Sequence, residues 1–242
     1  SAVYGQTSNL LQDQCDGGES RSCYKLAHNY ANGRGVSKDV SKANALYEKA
    51  CNGEHLAGCV ALGLSYAKGL GVSKDLSKAN ALYQTACDGG TMWGCFNLGV
   101  NYQYGIGVPK DVSKANPLLQ KACDDGNNGS CVLLGINYAN GHGISKDVRK
   151  ANALYQKACT GGVMWGCNNF GYHYEHGIGV SKDVSKANTL YEKACDGGYM
   201  KACNNLALNY QDGSGVSKDV RKANALYQKA CEGGHMEGCD NL

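Results

Sequence analysis

Residues 59–95 read CVALGLSYAKGLGVSKDLSKANALYQTACDGGTMWGC, and the three cysteines in that stretch set the period of the whole chain. Cys59 to Cys87 is a step of 28 and Cys87 to Cys95 a step of 8. The same alternation carries Cys15, Cys23, Cys51, Cys123, Cys131, Cys159, Cys167, Cys195, Cys203, Cys231 and Cys239, so the chain is a 36-residue repeat. A sequence of this kind folds unit on unit, each repeat burying its apolar face mainly against its neighbours. Counted from the second cysteine of each pair, six repeats span 23–58, 59–94, 95–130, 131–166, 167–202 and 203–238 of one repeat domain. A degenerate half-repeat, 1–22, precedes them and a stub, 239–242, follows.

Each unit reads as two helices. Cys95, Leu98, Gly99 and Tyr102 fall at i, i+3, i+4 and i+7, one face of a helix, which stops at Gly105 and Gly107. A Lys-Asp pair follows, and the aspartate column (Asp39, Asp75, Asp111, Asp147, Asp183, Asp219) stands where an N-cap accepts free amides of a second helix. In that helix Val40, Ala43, Leu46, Tyr47 and Ala50 share a face, before a cysteine and a glycine turn. Pro117 falls in the second turn of one second helix, where a distortion is expected. The fold class is therefore all-α, a solenoid of 36-residue helical hairpins.

Composition removes several classes. With 242 residues, a net charge of +3 and no concentrated basic segment, nucleic acid is not an expected partner. No apolar run approaches the length of a membrane-spanning helix, so membrane insertion is not expected either. The 34 glycines lack a three-residue period, and enough Leu, Val, Ala and Tyr remain to build a core.

The 14 cysteines show none of the C-x(2)-C spacing typical of zinc sites. Two translationally repeated pairings remain, C-x(7)-C across the turn and C-x(27)-C within a hairpin. The first uses every cysteine, whereas the second strands Cys15 and Cys239. One disulfide per repeat, Cys15–Cys23 and its six successors, is the expected framework, reduced buried thiols being the alternative. Such a framework needs an oxidising compartment, so a secreted or periplasmic protein is expected. No signal sequence precedes Ser1, as expected once a leader has been removed.

The residues Leu62-Gly63, Tyr66, Gly69, Gly71-Val72, Asp75, Lys78-Ala79 and Tyr83 form a pattern that resembles the Sel-one-like repeat, a relative of the tetratricopeptide repeat. With the C-x(7)-C staple added, the chain is similar to the Helicobacter cysteine-rich proteins. Departures are local: Pro117 and Leu119 in one second helix, and Glu54 and Asp125 at turn glycines. The resemblance implies a right-handed α/α superhelical solenoid and a protein-binding adaptor acting in signalling, secretion or host interaction, an inhibitor or immunity protein for a secreted toxin included. It also implies a second class, penicillin binding with weak β-lactamase activity.

The chemistry of that second class is weakly supported by residues. Ser-x-x-Lys occurs at Ser22–Lys25 and Ser65–Lys68, about as often as chance supplies in a chain rich in both, and the companion Ser-Asp-Asn and Lys-Thr-Gly motifs do not occur. His173 and His176 lie one helical turn apart without the zincin pattern. No catalytic residue, metal or cofactor is expected, and thiol or metal handling is the third alternative.

A binding surface is expected on the first helices, opposite their buried stripe. Asn29, Asn101, Asn137, His173 and Asn209 occupy one column there, Asn97, Asn169 and Asn205 a second, and Tyr104, Asn140, His176 and Asp212 a third. An asparagine amide both donates and accepts, as an extended peptide backbone does. By analogy with tetratricopeptide arrays these columns predict a concave groove for a protein or extended peptide, bound by a monomer. Trp93 and Trp165 fall near the same face as candidate anchors. The competing reading is that the asparagines solvate the groove or bond neighbouring helices, and that the tryptophans pack between repeats. The lysine columns, such as Lys42, Lys78 and Lys114, are expected on a solvated outer face.

Overall fold

The computed structural model describes residues 2–242, with side chains from Ser8 onward. Its contacts divide into two units, residues 1–127 and 128–242. The first holds α1 (Ala2–Asp16), α2 (Ser20–Asn32), α3 (Val40–Asn52), α4 (Leu56–Lys68), α5 (Leu76–Asp88), α6 (Met92–Tyr104) and α7 (Val112–Asp124). The second holds α8 (Asn128–Asn140), α9 (Val148–Thr160), α10 (Met164–His176), α11 (Val184–Asp196), α12 (Met200–Asp212), α13 (Val220–Glu232) and α14 (Met236–Asp240). No strand occurs among the described residues. Within each unit successive helices pack on one another, which is the order expected of stacked helical hairpins. The even-numbered helices are the first helices of their repeats and the odd-numbered ones the second.

The expected start signals form. Asp39, Asp75, Asp111, Asp147, Asp183 and Asp219 are extended N-caps, and each accepts the backbone N–H of the residue three positions on. First helices such as α6 and α10 end at glycines in the left-handed region, Gly105 and Gly177. The core is a file of small and aromatic residues. Ala79, Tyr83 and Leu98 pack together in the first unit, and Ala187, Tyr191, Ala194 and Leu206 in the second. Gly63 admits the Tyr83 ring, since a Cβ there would stand 2.6 Å from Tyr83 Cε1. Burial pushes the Tyr83 hydroxyl up to about 12, so it stays protonated throughout the physiological range.

No cysteine is free. Cys15–Cys23, Cys51–Cys59, Cys87–Cys95, Cys159–Cys167, Cys195–Cys203 and Cys231–Cys239 bridge each helix end to the next helix start, and Cys123 and Cys131 are disulfide-bonded as well. The pairing across the turn is the one formed, and it leaves no thiol free.

The local departures have different consequences. Glu54 takes φ 65°, the left-handed conformation that Gly18, Gly90 and Gly126 adopt at the same place in their turns. Asp125 sits one position earlier, at φ −77°, an ordinary conformation for any residue. Pro117 neither shortens nor interrupts α7, which is 13 residues long, as α5 is.

Candidate functional site

The asparagine column expected to line a groove is largely interior. Asn101, Asn137, His173 and Asn209 are buried. Three of them meet a second asparagine column, on the second helices, that the sequence reading passed over. Asn80 donates through Nδ2 to the Ile106 carbonyl at 3.0 Å, which leaves its Oδ1 to accept Asn101 Nδ2 at 2.6 Å. Asn188 repeats the arrangement, donating to the Ser214 carbonyl and accepting from Asn209 Nδ2 at 2.7 Å. Each rung thus ties a second helix to the first helix of the next repeat and to the loop beyond it. The signal was present in the sequence as an asparagine following Lys-Ala in every repeat. Of the two readings of these asparagines, the one that has them bond neighbouring helices holds for these rungs, where a buried amide is paired on both sides.

His173 replaces asparagine in one rung, and the network assigns its tautomer. Asn152 Nδ2 donates to the Ile178 carbonyl at 2.8 Å, so Asn152 Oδ1 faces His173 Nδ1 at 2.5 Å as an acceptor. Nδ1 therefore carries the proton and Nε2 keeps a lone pair. The ring meets Tyr155 edge-on at 5.2 Å. Burial, and then the neighbouring His176, hold the imidazole below its ordinary 6.5, which favours this neutral form.

The structure brings four of the expected groove residues together around one cavity of about 220 Å³ in the second unit. Asn140 from α8 and Trp165, Asn169 and His173 from α10 line it, together with Ile136, Ala139, Tyr155 and Tyr172. Tyr172 is half-exposed and stacks on His176 with ring centroids 4.1 Å apart, while His176 Nδ1 lies 2.9 Å from the Tyr172 carbonyl. The cavity combines aromatic walls, two asparagines and an imidazole, with no carboxylate in its lining. It can take an apolar or aromatic side chain that carries a hydrogen-bond donor. Ile136, Tyr155 and Tyr172 were missed because repeat position alone does not say which side chains border a gap.

The remaining candidates are dispersed. Asn29 lines a cavity of about 370 Å³ with Leu11, Tyr24, Lys25 and His28. Trp93 is 51% exposed, meets Phe96 edge-on, and its carbonyl accepts Asn97 Nδ2 at 2.8 Å. Tyr104 and Asp212 are exposed at the ends of α6 and α12. Asn205 donates to Asn168 Oδ1 at 3.0 Å, joining α12 to α10. The lysine column is not merely solvated: Lys42, Lys78 and Lys186 sit over the Tyr30, Tyr66 and Tyr174 rings of their own repeats at 4.3, 5.3 and 5.5 Å.

The two Ser-x-x-Lys matches differ in setting. Ser22 is buried and donates to Gln14 Oε1 at 3.0 Å, and Ser65 is buried while Lys68 is exposed. Among the described residues no group of three His, Cys, Asp or Glu side chains is placed to hold a metal ion, and no helix is long and apolar enough to cross a membrane.

Comparison with known families matches the model described as Sel1 repeat six times, at residues 20–55, 56–91, 94–127, 129–163, 166–199 and 201–235. Among solved structures, the chain is similar to c5321, a protective antigen of uropathogenic Escherichia coli with an SLR fold. The two share 28% identity at a TM-score of 0.91, over 96% of this chain and 50% of that one, so the chain spans half the length of that relative. It is also similar to a Sel1 repeat protein from Oxalobacter formigenes, with 26% identity and a TM-score of 0.79 over 87% of this chain and 84% of that one. Cysteine-rich protein B of Helicobacter pylori shares 32% identity over 55% of this chain and 96% of its own, at a TM-score of 0.45. Comparison with curated proteins gives no match.

Proposed function

Because the chain belongs to the Sel1 repeat family, we propose that it is an extracytosolic, disulfide-stapled scaffold that binds a protein or extended peptide through its first-helix faces. The observation that carries this reading is the cavity of the second unit, where Trp165, Tyr172, His173, Asn140 and Asn169 converge. Aromatic side chains at a partly desolvated cavity, ringed by groups that both donate and accept, are the composition of a binding hot spot. Covalent staples in both units keep the helices from reorganising, so a partner meets a surface whose ordering cost is already met. The disulfides support a location outside the reducing cytosol.

The exposed and half-buried groove residues, Asn29, Trp93, Asn97, Tyr104, Asn140, Trp165, Asn169, His176, Asn205 and Asp212, are proposed to contact the partner. Asn101, Asn137, His173 and Asn209 hold the wall behind them. The test is selection of a displayed peptide library on the oxidised protein, repeated with Trp165→Ala and Tyr172→Ala combined. Enriched peptides are expected to lose binding to the double variant. Equal enrichment on both proteins refutes the placement of the site.

A further inference from the structure

One rung of the interior amide ladder is unfilled. Asn44 on α3 holds the position that Asn80 and Asn188 hold on α5 and α11, and like them it donates through Nδ2 to a loop carbonyl, here Leu70 at 2.7 Å. The first-helix residue that should answer its Oδ1 is Ser65, which stands where Asn101 and Asn209 stand. Serine is too short. Asn44 is 4% exposed, and its Oδ1 accepts no hydrogen bond. A buried acceptor without a donor is destabilising, a penalty that the Asn80 and Asn188 rungs avoid.

At this same place the first unit opens a cavity of about 360 Å³, with Asn44 and Ser65 in its lining. Val40, Tyr47, Leu64 and Leu70 supply apolar walls, and Leu64 and Leu70 are exposed. Lys38 and Lys68 also line it and are exposed, and no carboxylate lines it. These features select the occupant. The acceptor demands an N–H or O–H donor, which a carboxylate lacks. Two lysines disfavour an ammonium or guanidinium. What remains is a neutral donor, and the intact rungs show which kind seats there: the primary amide of Asn101 on Asn80 and of Asn209 on Asn188.

We propose that the Asn44–Ser65 cavity is a recognition pocket for a primary carboxamide side chain of the bound peptide, glutamine above all. A small shift of the Asn44 side chain brings its buried Oδ1 to the amide N–H and completes the rung, the Ser65 hydroxyl donates to the amide carbonyl, and the two methylenes pack on Leu64 and Leu70. This inference rests on the groove being a peptide-binding surface.

The test uses the oxidised full chain and N-acetylglutamine N-methylamide as probe, with the glutamate and lysine analogues as controls, followed through the side-chain amide resonances of Asn44 by NMR. The glutamine probe is expected to shift them in a saturable way and the controls to leave them in place. Ser65→Asn supplies the missing donor from within, so it is expected to weaken the probe at least about fivefold, the worth of one net hydrogen bond, and to raise the urea midpoint. Ser65→Ala leaves the acceptor open and is expected to keep more of the binding than Ser65→Asn does. Unmoved Asn44 resonances, equal binding of the glutamate or lysine analogue, or unchanged affinity in Ser65→Asn overturns the proposal. If peptide selection still depends on Trp165 and Tyr172 while the glutamine probe fails, the pocket assignment is wrong and the groove reading stands.

Discussion

Removing the Asn80 side chain with Asn80→Ala tests whether the interior ladder, and not only apolar burial, joins repeats. The side chain makes two bonds, to the Ile106 carbonyl and from Asn101 Nδ2. Its loss strands both groups. Ile106 is 39% exposed, so its carbonyl can turn to water, whereas Asn101 is buried and its amide stays without a partner. One fully stranded group costs about 1–3 kcal/mol and a solvent-rescued one less, giving about 2–3 kcal/mol together. With an m-value of about 2 kcal/mol/M, the urea midpoint falls by roughly 1 M. The chain carries its own control. Asn224 on α13 occupies the same column and is exposed, so Asn224→Ala is expected to cost less than about 0.5 kcal/mol. Because repeat arrays can unfold in parts, hydrogen exchange of the α5 and α6 amides accompanies the urea titration. Equal losses in the two variants refute the ladder as an energetic coupling.

Glu54→Gly is expected to stabilise the protein by about 1 kcal/mol, since it relieves a left-handed backbone that a non-glycine residue adopts at a cost; an unchanged urea midpoint contradicts this. Changing Cys195 and Cys203 together to alanine opens a short covalent loop and is expected to cost about 2.5 kcal/mol by loop entropy. Faster hydrogen exchange confined to the α11–α12 turn is the accompanying sign, and no loss in either measurement contradicts the staple. His173 is held neutral in the fold, so below its ordinary 6.5 the unfolded chain binds more protons than the folded one. The stability it contributes is complete above about 6.5 and falls as pH drops through the lowered folded value. His173→Asn, the residue that other rungs use, is expected to flatten this fall, with the portion due to His55, also lowered by burial, left in place. An identical pH dependence of the urea midpoint in the variant contradicts the assignment.

The fold was legible because it is written locally and six times over. The Asp39 column caps helices through backbone atoms three residues away, and Cys195 meets Cys203 across a single turn, so spacing alone determined the helices, the period and the disulfide pairing. Even Glu54 could be read as a misfit at a glycine turn. The site was legible only in part. Trp165, Asn140, Asn169 and His173 were expected on one face and do line one cavity, because Trp165, Asn169 and His173 follow one another at four-residue steps along α10 and Asn140 ends the preceding first helix, α8.

Which polar residues face outward was decided by tertiary structure. Asn97 and Asn101 are one helical turn apart on α6 and equally polar in sequence, yet Asn101 is interior because Asn80 approaches it from a helix 21 residues earlier. Ser65 differs from Asn101 by a few atoms, and only the position of Asn44 near it turns that small difference into a buried acceptor without a donor. Periodicity specifies the direction in which a side chain leaves its own helix. Whether it meets water or a matching amide depends on the neighbouring helix packed against it.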